Sequence, residues 1–179
     1  SHHWDFILKR EGESWYTETR YILNPRNFES YWQDPKISLG LRFASHTKFG
    51  CLDLDENSAN NPLVNPKRYR KLLKTLRKIG IKQTLLIRSS SNRGVHLFFF
   101  LQLGINSFNL ACALFRVLSE NCFIIKSGEL EIFPNTKRYK KKGEGFSLFN
   151  GLRVPMQPGS GATLLDPETF EPVPGGAES

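Results

Sequence analysis

Two predicted strands each carry a pair of acidic residues separated by one position. Asp53 and Asp55 form one pair, and Glu129 and Glu131 form the other. Residues i and i+2 of a strand face the same side, so each pair directs two carboxylates together. Such a pair repels itself unless a cation lies between the two groups, and carboxylate oxygens are preferred ligands of Mg²⁺ and Mn²⁺.

If the two strands are neighbours, Glu131 completes a carboxylate site that Asp53 and Asp55 begin. Carboxylates around one or two divalent ions suit in-line attack on a phosphate, because one ion activates the attacking oxygen and the other stabilises the leaving one. The simpler alternative is a solvated strand end with outward acidic side chains, since a lone Asp-x-Asp is common. The spacing alone leaves both interpretations open.

A loop of small and polar residues lies between the two acidic pairs, at positions 89–94. It contains three serines, Arg93 and Gly94, and it leads to His96 at the start of an apolar strand. Backbone N–H groups and serine hydroxyls in such a loop can hold phosphate oxygens, and an arginine adds a permanently charged fork. A histidine with apolar neighbours is more often a satisfied core residue, but beside a phosphate loop it is a candidate phosphate donor.

These three features occur in the order found in the archaeo-eukaryotic primase superfamily. Residues 52–55 resemble its hydrophobic-Asp-hydrophobic-Asp motif, residues 90–97 its serine–histidine loop, and residues 130–134 the strand that carries its third acid. Residues 41–49 and 152–157 are similar to flanking segments of the family. The resemblance spans about residues 39–166.

The resemblance implies a DNA primase/polymerase, a nucleotidyltransferase that makes or extends primers on single-stranded DNA with Mg²⁺ or Mn²⁺. By position, it implies that Asp53, Asp55 and Glu131 are the catalytic metal ligands. It also implies that the phosphates of a dNTP or NTP are bound by a polar and basic set: Ser90, Ser91, Arg93, His96, Arg153 and Arg42. Ser91 stands where many members have glycine. No cysteine–histidine cluster matches the zinc elements of some primases, so no zinc is expected, and helicase or accessory primase domains are expected outside this chain.

Apolar periodicity predicts the elements that would position these residues. We expect strands at 37–43, 49–55, 83–89, 95–103, 129–133, 152–156 and 162–165, and helices at 27–32, 66–79 and 107–120. On the last helix we expect one apolar side formed by Phe108, Cys112, Phe115 and Leu118 or Val117. The core order of strand, helix, strand, strand, helix, strand predicts an α+β fold with an RRM-like, split βαβ (ferredoxin-like) antiparallel sheet.

The domain organisation follows from the same elements and from the resemblance. The family implies an N-terminal α/β unit before the RRM-like sheet, so we expect one catalytic domain over residues 1–165. Residues 166–179 contain three prolines and are expected to be an extension or a linker.

Positive charge is concentrated in two segments of the chain. Lys and Arg number 25 against 17 Asp and Glu, a net charge of +8. Residues 66–79 and 136–142 are rich in Lys and Arg and contain no acid, which predicts contacts with a nucleic-acid backbone or, alternatively, solvated basic faces. The candidate contacts are Lys71, Lys74, Lys78, Arg138, Lys140, Lys141 and Lys142.

Two other functions remain as alternatives. The basic-glycine-aromatic stretch at 93–100 echoes RRM-like modules that bind single-stranded nucleic acid without catalysis, and the carboxylates alone would also serve a metal-dependent nuclease. A binding module has no need of Asp53, Asp55 and Glu131, and a nuclease has no need of a triphosphate loop. No apolar run approaches the roughly 18 residues of a membrane span, so no membrane partner is expected. Three cysteines without CxxC spacing favour a reducing, cytoplasmic location.

Overall fold

The computed structural model describes residues 6–135 and 149–174, together with the backbone of 139–140 and 147–148. Its helices are α1 (Pro25–Gln33), α2 (Pro66–Lys78) and α3 (Ser107–Glu120). Its strands are β1 (Phe6–Arg10), β2 (Tyr16–Thr17), β3 (Ile37–Arg42), β4 (His46–Leu54), β5 (Thr84–Arg88), β6 (Val95–Asn106), β7 (Leu130–Phe133), β8 (Tyr139–Lys140), β9 (Ser147–Leu148), β10 (Gly151–Arg153) and β11 (Thr163–Leu165). The predicted α+β class is confirmed.

The larger sheet is antiparallel and has the order β11-β5-β6-β4-β7. Its two central strands, β4 and β6, are longer than predicted, and β5 and β6 form the expected hairpin around the serine loop. Between β4 and β7 the chain runs strand, helix, strand, strand, helix, strand, as the periodicity predicted.

The two faces of this sheet have different environments. Leu52 and Leu97 belong to the main apolar core, which includes the buried residues of α2 and α3. Cys51 and Phe98 belong to a second cluster that includes Leu152 from the smaller sheet. Because successive strand residues alternate between faces, the odd-numbered positions of β4 point away from the helices.

Helix α2 forms as its sequence predicts. Pro66 lies in the first turn, and the side chain of Asn65 accepts the Arg68 N–H at 3.1 Å as an N-cap. Tyr69, Leu72 and Leu76 are fully buried against the sheet. The basic residues of α2 are therefore directed away from the sheet.

The packed side of α3 differs from the prediction, although its bounds are as predicted. The buried residues are Ser107, Leu110, Ala111, Leu114, Val117 and Leu118, whereas Phe108 and Phe115 are 36% and 46% exposed and Cys112 is exposed. This helix carries apolar residues around most of its circumference, so periodicity does not select one stripe. Ala111 lies on the packed side, where a small side chain allows close approach to the sheet.

The smaller antiparallel sheet has the order β10-β3-β1-β2. Strands β1 and β2 were not predicted, because the first forty residues mix aromatic and polar positions without a clear period. The expected N-terminal α/β unit is completed by β10, which comes from the other end of the chain. Helix α1 begins with a reciprocal cap between Asn24 and Asn27.

The proline-rich segment after β11 packs on the body of the protein over residues 166–174. The Phe170 ring meets the Tyr69 ring edge-on with centroids 5.5 Å apart, and the Val173 N–H donates to the Leu164 carbonyl at 2.9 Å. Within the described part of the chain, no helix is long and apolar enough to cross a membrane.

Candidate active site

A row of three polar residues crosses the centre of the larger sheet. Asp53 on β4 lies directly opposite His96 on β6 and Glu131 on β7. Opposed residues of antiparallel strands share a face, with Cβ atoms about 4.5–5.5 Å apart. The sequence-based expectation that the strands of Asp53 and Glu131 are neighbours is confirmed. We call His96, Asp53 and Glu131 the polar row.

His96 is held against Asp53 by packing. It is 6% exposed, its Nε2 lies 3.6 Å from Asp53 Oδ1, and the Phe98 ring packs edge-on against it at 5.9 Å. The Asp53 side chain remains 26% exposed. A buried imidazole therefore lies beside a carboxylate that is still accessible to a ligand.

The polar row opens into a cleft of about 830 Å³ between the two sheets. All three residues of the row line it, together with Ser90 and Ser91 from the serine loop. The smaller sheet and its neighbouring turns supply other lining residues, among them Lys9, Trp15, Ser38, Arg42 and Arg153. Acidic and basic side chains thus come from different sheets and meet in one cavity.

Arg153 is fixed in this cavity by two hydrogen bonds. Its guanidinium donates to the Ser89 carbonyl at 3.0 Å and to Ser38 Oγ at 2.9 Å. Burial lowers the pKa of Arg153, and the charge of Asp53 opposes that shift. The Arg153 Nε has no hydrogen-bond partner among the described residues, but it is buried and closed to a ligand. The cleft lining includes Arg153, so its guanidinium can interact with an anion in the cavity through its charge.

Arg42 lies in the same cavity and is also anchored. Its guanidinium donates to the Phe149 carbonyl at 2.6 Å and to Thr17 Oγ1 at 2.7 Å. These bonds connect β3 with β2 and with the segment before β10. Two of the three predicted phosphate-binding arginines thus lie at the cleft.

Backbone contacts on both sides shape the serine loop. The Ser89 N–H donates to the Gly94 carbonyl at 2.9 Å, which closes the loop, and the Ser91 N–H donates to the Ser160 carbonyl at 3.2 Å. Gly161, with φ of +69°, follows directly, and a Cβ there would lie 2.7 Å from the Ser91 nitrogen. The loop is therefore seated on a turn that requires glycine.

Two predicted site residues lie elsewhere. Asp55 follows the end of β4 and is not among the described residues that line the cleft. It accepts a backbone hydrogen bond from Gly128, while burial and the charge of Asp53 raise the pKa of Asp55. Arg93 is exposed and donates to the Leu63 carbonyl at 3.4 Å, away from the cleft lining. Strand alternation predicts direction only within a strand, and both residues lie outside one.

Asn61 is a structural residue that the sequence did not reveal. Its side chain is fully buried, and its amide nitrogen contacts the carbonyls of Arg93 at 2.8 Å, Asp55 at 3.1 Å and Leu54 at 3.4 Å. Its oxygen accepts the Leu63 N–H at 2.9 Å. Asn61 therefore joins the end of β4 to the end of the serine loop. Asparagine in a turn-rich segment gives no sequence signal for this role.

Gln157 plays a similar part at the smaller sheet. It is 3% exposed, its oxygen accepts the Leu39 N–H at 3.0 Å, and its amide donates to the carbonyls of Tyr31 (3.0 Å) and Ile37. It is the last residue of the 152–157 stretch that resembles the primase family. Its backbone carbonyl also accepts from Ser160, so it supports the turn beneath the serine loop.

Of the two basic segments, only residues 66–79 have described side chains whose position relative to the cleft can be given. Helix α2 covers the sheet face opposite the polar row, and Lys71 and Lys78 each donate to Asn121, at 3.0 and 2.8 Å. Lys74 is exposed on the same helix. The side chains of Arg138, Lys140, Lys141 and Lys142 lie outside the described residues. The proposed nucleic-acid contacts of both segments stay predictions.

The donor set of the cleft was compared with the needs of a divalent ion. Among the described residues, no group of three or more His, Cys, Asp or Glu side chains could hold a metal by itself. Mg²⁺ commonly uses only one or two protein carboxylates and completes its shell with waters and substrate phosphates. Asp53 and Glu131, adjacent across the strands, fit that requirement.

Comparison with known proteins finds similarity among solved structures only. No protein-family model and no curated protein sequence matches the chain. Among solved structures, it is similar to the polymerase domain of Mycobacterium tuberculosis ligase D in complex with DNA. The TM-score is 0.45 with 12% sequence identity, over 87% of this chain and 69% of that one. A similarity of this size does not establish a shared fold.

Proposed function

We propose that the chain is a template-directed nucleotidyltransferase, a DNA primase or polymerase that uses a nucleoside triphosphate bound in the cleft. The observation that carries this proposal is the polar row facing a cavity that also contains the serine loop and Arg153. Carboxylates and cationic phosphate-binding groups in one cavity suit a metal-bound triphosphate. Either group alone would suit only the metal or only the phosphate.

We further infer that the larger sheet is RRM-like. Strands β7, β4, β6 and β5 lie in that order, and the chain connects them through α2 and α3 in the split βαβ manner. This arrangement puts the first and third strands of the motif at the centre. The polar row lies on those central strands and on β7, on the face without helices.

Asp53 and Glu131 would hold Mg²⁺ or Mn²⁺. When bound, the ion supplies Lewis-acid chemistry and neutralises phosphate charge. Asp55 remains a proposed further ligand, since it directly follows β4 and lies close enough to Asp53 for the two charges to interact.

The chain's own groups would bind and orient the triphosphate. Ser90 and Ser91 offer hydroxyl donors at the cleft, and Arg153 and Arg42 offer charged donors from the smaller sheet. His96 is fixed beside Asp53 and lines the same cavity. Prepositioned donors around a phosphate favour in-line transfer, because little reorganisation is needed when charge develops.

The alternative of a non-catalytic binding module agrees less well with this geometry. Asp53 and Glu131 lie side by side at the cavity wall, where they would repel a nucleic-acid backbone. A metal-dependent nuclease would share the carboxylates but would gain nothing from the Arg153 charge and the serine loop around a triphosphate. Binding of intact dNTP separates the nuclease from the polymerase.

The test is incorporation of labelled dNTP on a primed single-stranded template with Mn²⁺ or Mg²⁺. Asp53→Asn and Glu131→Gln should each lower the rate at least about a hundredfold, because each removes an anionic ligand of the ion that would neutralise the transferring phosphate. The matched control is Glu56→Gln, an exposed acid just beyond β4, which should keep the wild-type rate. Wild-type rates in both variants of the row would refute the proposal.

A further inference from the structure

An exposed aromatic pair lies on the same sheet face as the polar row. Phe49 on β4 and Phe100 on β6 are cross-strand partners, 39% and 48% exposed. Phe49 is four residues from Asp53, and Phe100 is four residues from His96. Strand alternation therefore places both rings on the face of the polar row. At about 3.3 Å per residue, the pair lies about 13 Å along the strands from the polar row.

The positions of the two rings are set by their surroundings. The Phe43 ring lies 5.1 Å from the Phe49 ring, tilted by 40°. Between the pair and the polar row, Cys51 and Phe98 are buried, so the strands beneath the pair belong to the packed core. The outer faces of Phe49 and Phe100 are therefore exposed on a rigid support.

The charge around the pair favours a polyanion. Residues 46–51 of β4, residues 97–106 of β6 and residues 81–87, which include most of β5, contain no Asp or Glu. On β7, which also pairs with β4, the acid is Glu131 of the polar row. Lys48 and Lys82 are exposed in these segments. A ligand that presents flat apolar faces and negative charge matches this surface, and a single nucleic-acid strand has both.

We propose that Phe49 and Phe100 form a stacking platform for the bases of a single nucleic-acid strand that runs along this sheet face from the cleft. This rests on the proposed function in that the strand would be the template or the primer. The stacking itself needs neither metal nor nucleotide. It is sequence-tolerant, because every base has a face that an aromatic ring can cover.

The experiment measures binding of a fluorescent single-stranded oligothymidylate by anisotropy, without metal or dNTP. The variant Phe49→Leu with Phe100→Leu keeps apolar volume and removes both ring faces. We expect its Kd to rise about tenfold or more, with an unchanged slope of log Kd against log salt, because the phosphate contacts remain. The control is Phe115→Leu, 46% exposed on α3 across the sheet, which should bind as wild type.

Equal affinity of the double variant and wild type for the oligonucleotide would overturn the proposed platform. A loss of affinity in Phe115→Leu as large as that in the double variant would also overturn it. If the double variant proves unfolded by circular dichroism, Phe49→Trp with Phe100→Trp decides, since retained or tighter binding supports stacking and lost binding refutes it. A wild-type dimer in sedimentation that the double variant abolishes would assign this face to self-contact and overturn the proposal. DNA binding that survives while dNTP incorporation is absent would contradict the proposed function and leave the platform standing.

Discussion

At the scale of single residues, Asp53 is central because β4 is flanked by both β6 and β7. A residue on a strand with two neighbours has two cross-strand partners, and here both are polar. An edge strand would offer only one. Asp53 also lines the cleft with Arg153, and its charge opposes the effect of burial on the pKa of Arg153.

Arg153→Lys should raise the KM for dNTP about tenfold while kcat changes little. The guanidinium donates to the Ser89 carbonyl and to Ser38 Oγ while it lines the cleft, and a lysine ammonium cannot reproduce that planar pair of bonds. A charge-assisted hydrogen bond to a ligand is worth about 1.5–3 kcal/mol, which agrees with that change in KM. Steady-state kinetics on a primed template measures it.

The control for Arg153→Lys is Arg116→Lys, since Arg116 is 80% exposed on α3 and pairs with Glu120. Arg116→Lys should leave KM and kcat unchanged. An unchanged KM in Arg153→Lys would remove this residue from the triphosphate site.

The order of the motifs indicated the three residues of the polar row, but not the register that places His96 and Glu131 opposite Asp53. A period of two reports only which side chains of one strand share a face. The directions of Asp55 and Arg93 could not be predicted, since both lie in loops where local hydrogen bonds decide. The structural roles of Asn61 and Gln157 depend on hydrogen bonds to backbone carbonyls far away in the sequence, such as the Arg93 carbonyl for Asn61. No local pattern reports such contacts.

At the scale of elements, the site depends on how the end of β4 is joined to the serine loop. Asn61→Ala should lower the free energy of unfolding by about 1–3 kcal/mol, because it leaves buried carbonyls and the Leu63 N–H without their partner. Urea denaturation followed by circular dichroism measures the change.

Asn57→Ala serves as the control for Asn61→Ala, because Asn57 is exposed in the same loop. Its effect should stay within about 0.5 kcal/mol, as for most surface substitutions. Equal effects of the two substitutions would mean that the buried hydrogen bonds of Asn61 contribute nothing measurable.

The helices and central strands were predictable because each has strong local signals. Helix α2 has a cap, a first-turn proline and a single apolar stripe, and its bounds and packed side follow from them. Helix α3 has two possible apolar stripes, so its bounds were predictable and its packed side was not. Strands β1 and β2 are stabilised by pairing with each other and with β3, which a local pattern does not reveal.

At the scale of the whole molecule, the cleft exists because β10 returns to the smaller sheet. That pairing brings Arg153 into the cavity that Asp53 lines. Contacts between segments more than a hundred residues apart, such as Gln157 with Leu39, hold this arrangement. The sequence indicated the residues of both walls but not that they belong to different sheets.

The net charge of +8 is not evenly distributed over the described structure. Helix α2 presents its basic residues on the side of the larger sheet that is remote from the cleft. Under the proposed function, a triphosphate in the cleft would meet Arg153, Arg42 and the serine loop rather than α2. The acids of the polar row would make its binding dependent on a cation.

The most direct measurement is calorimetric titration of a non-hydrolysable dNTP into wild type and Asp53→Asn, with and without Mg²⁺. In wild type, Mg²⁺ should tighten binding at least about tenfold, because Asp53 and Glu131 would hold an ion that neutralises the phosphate charge. In Asp53→Asn that gain should disappear, and metal-free nucleotide should bind more tightly than in wild type, because a repelling charge is gone. No nucleotide binding, or an equal Mg²⁺ gain in both proteins, would contradict a metal–triphosphate site at the polar row.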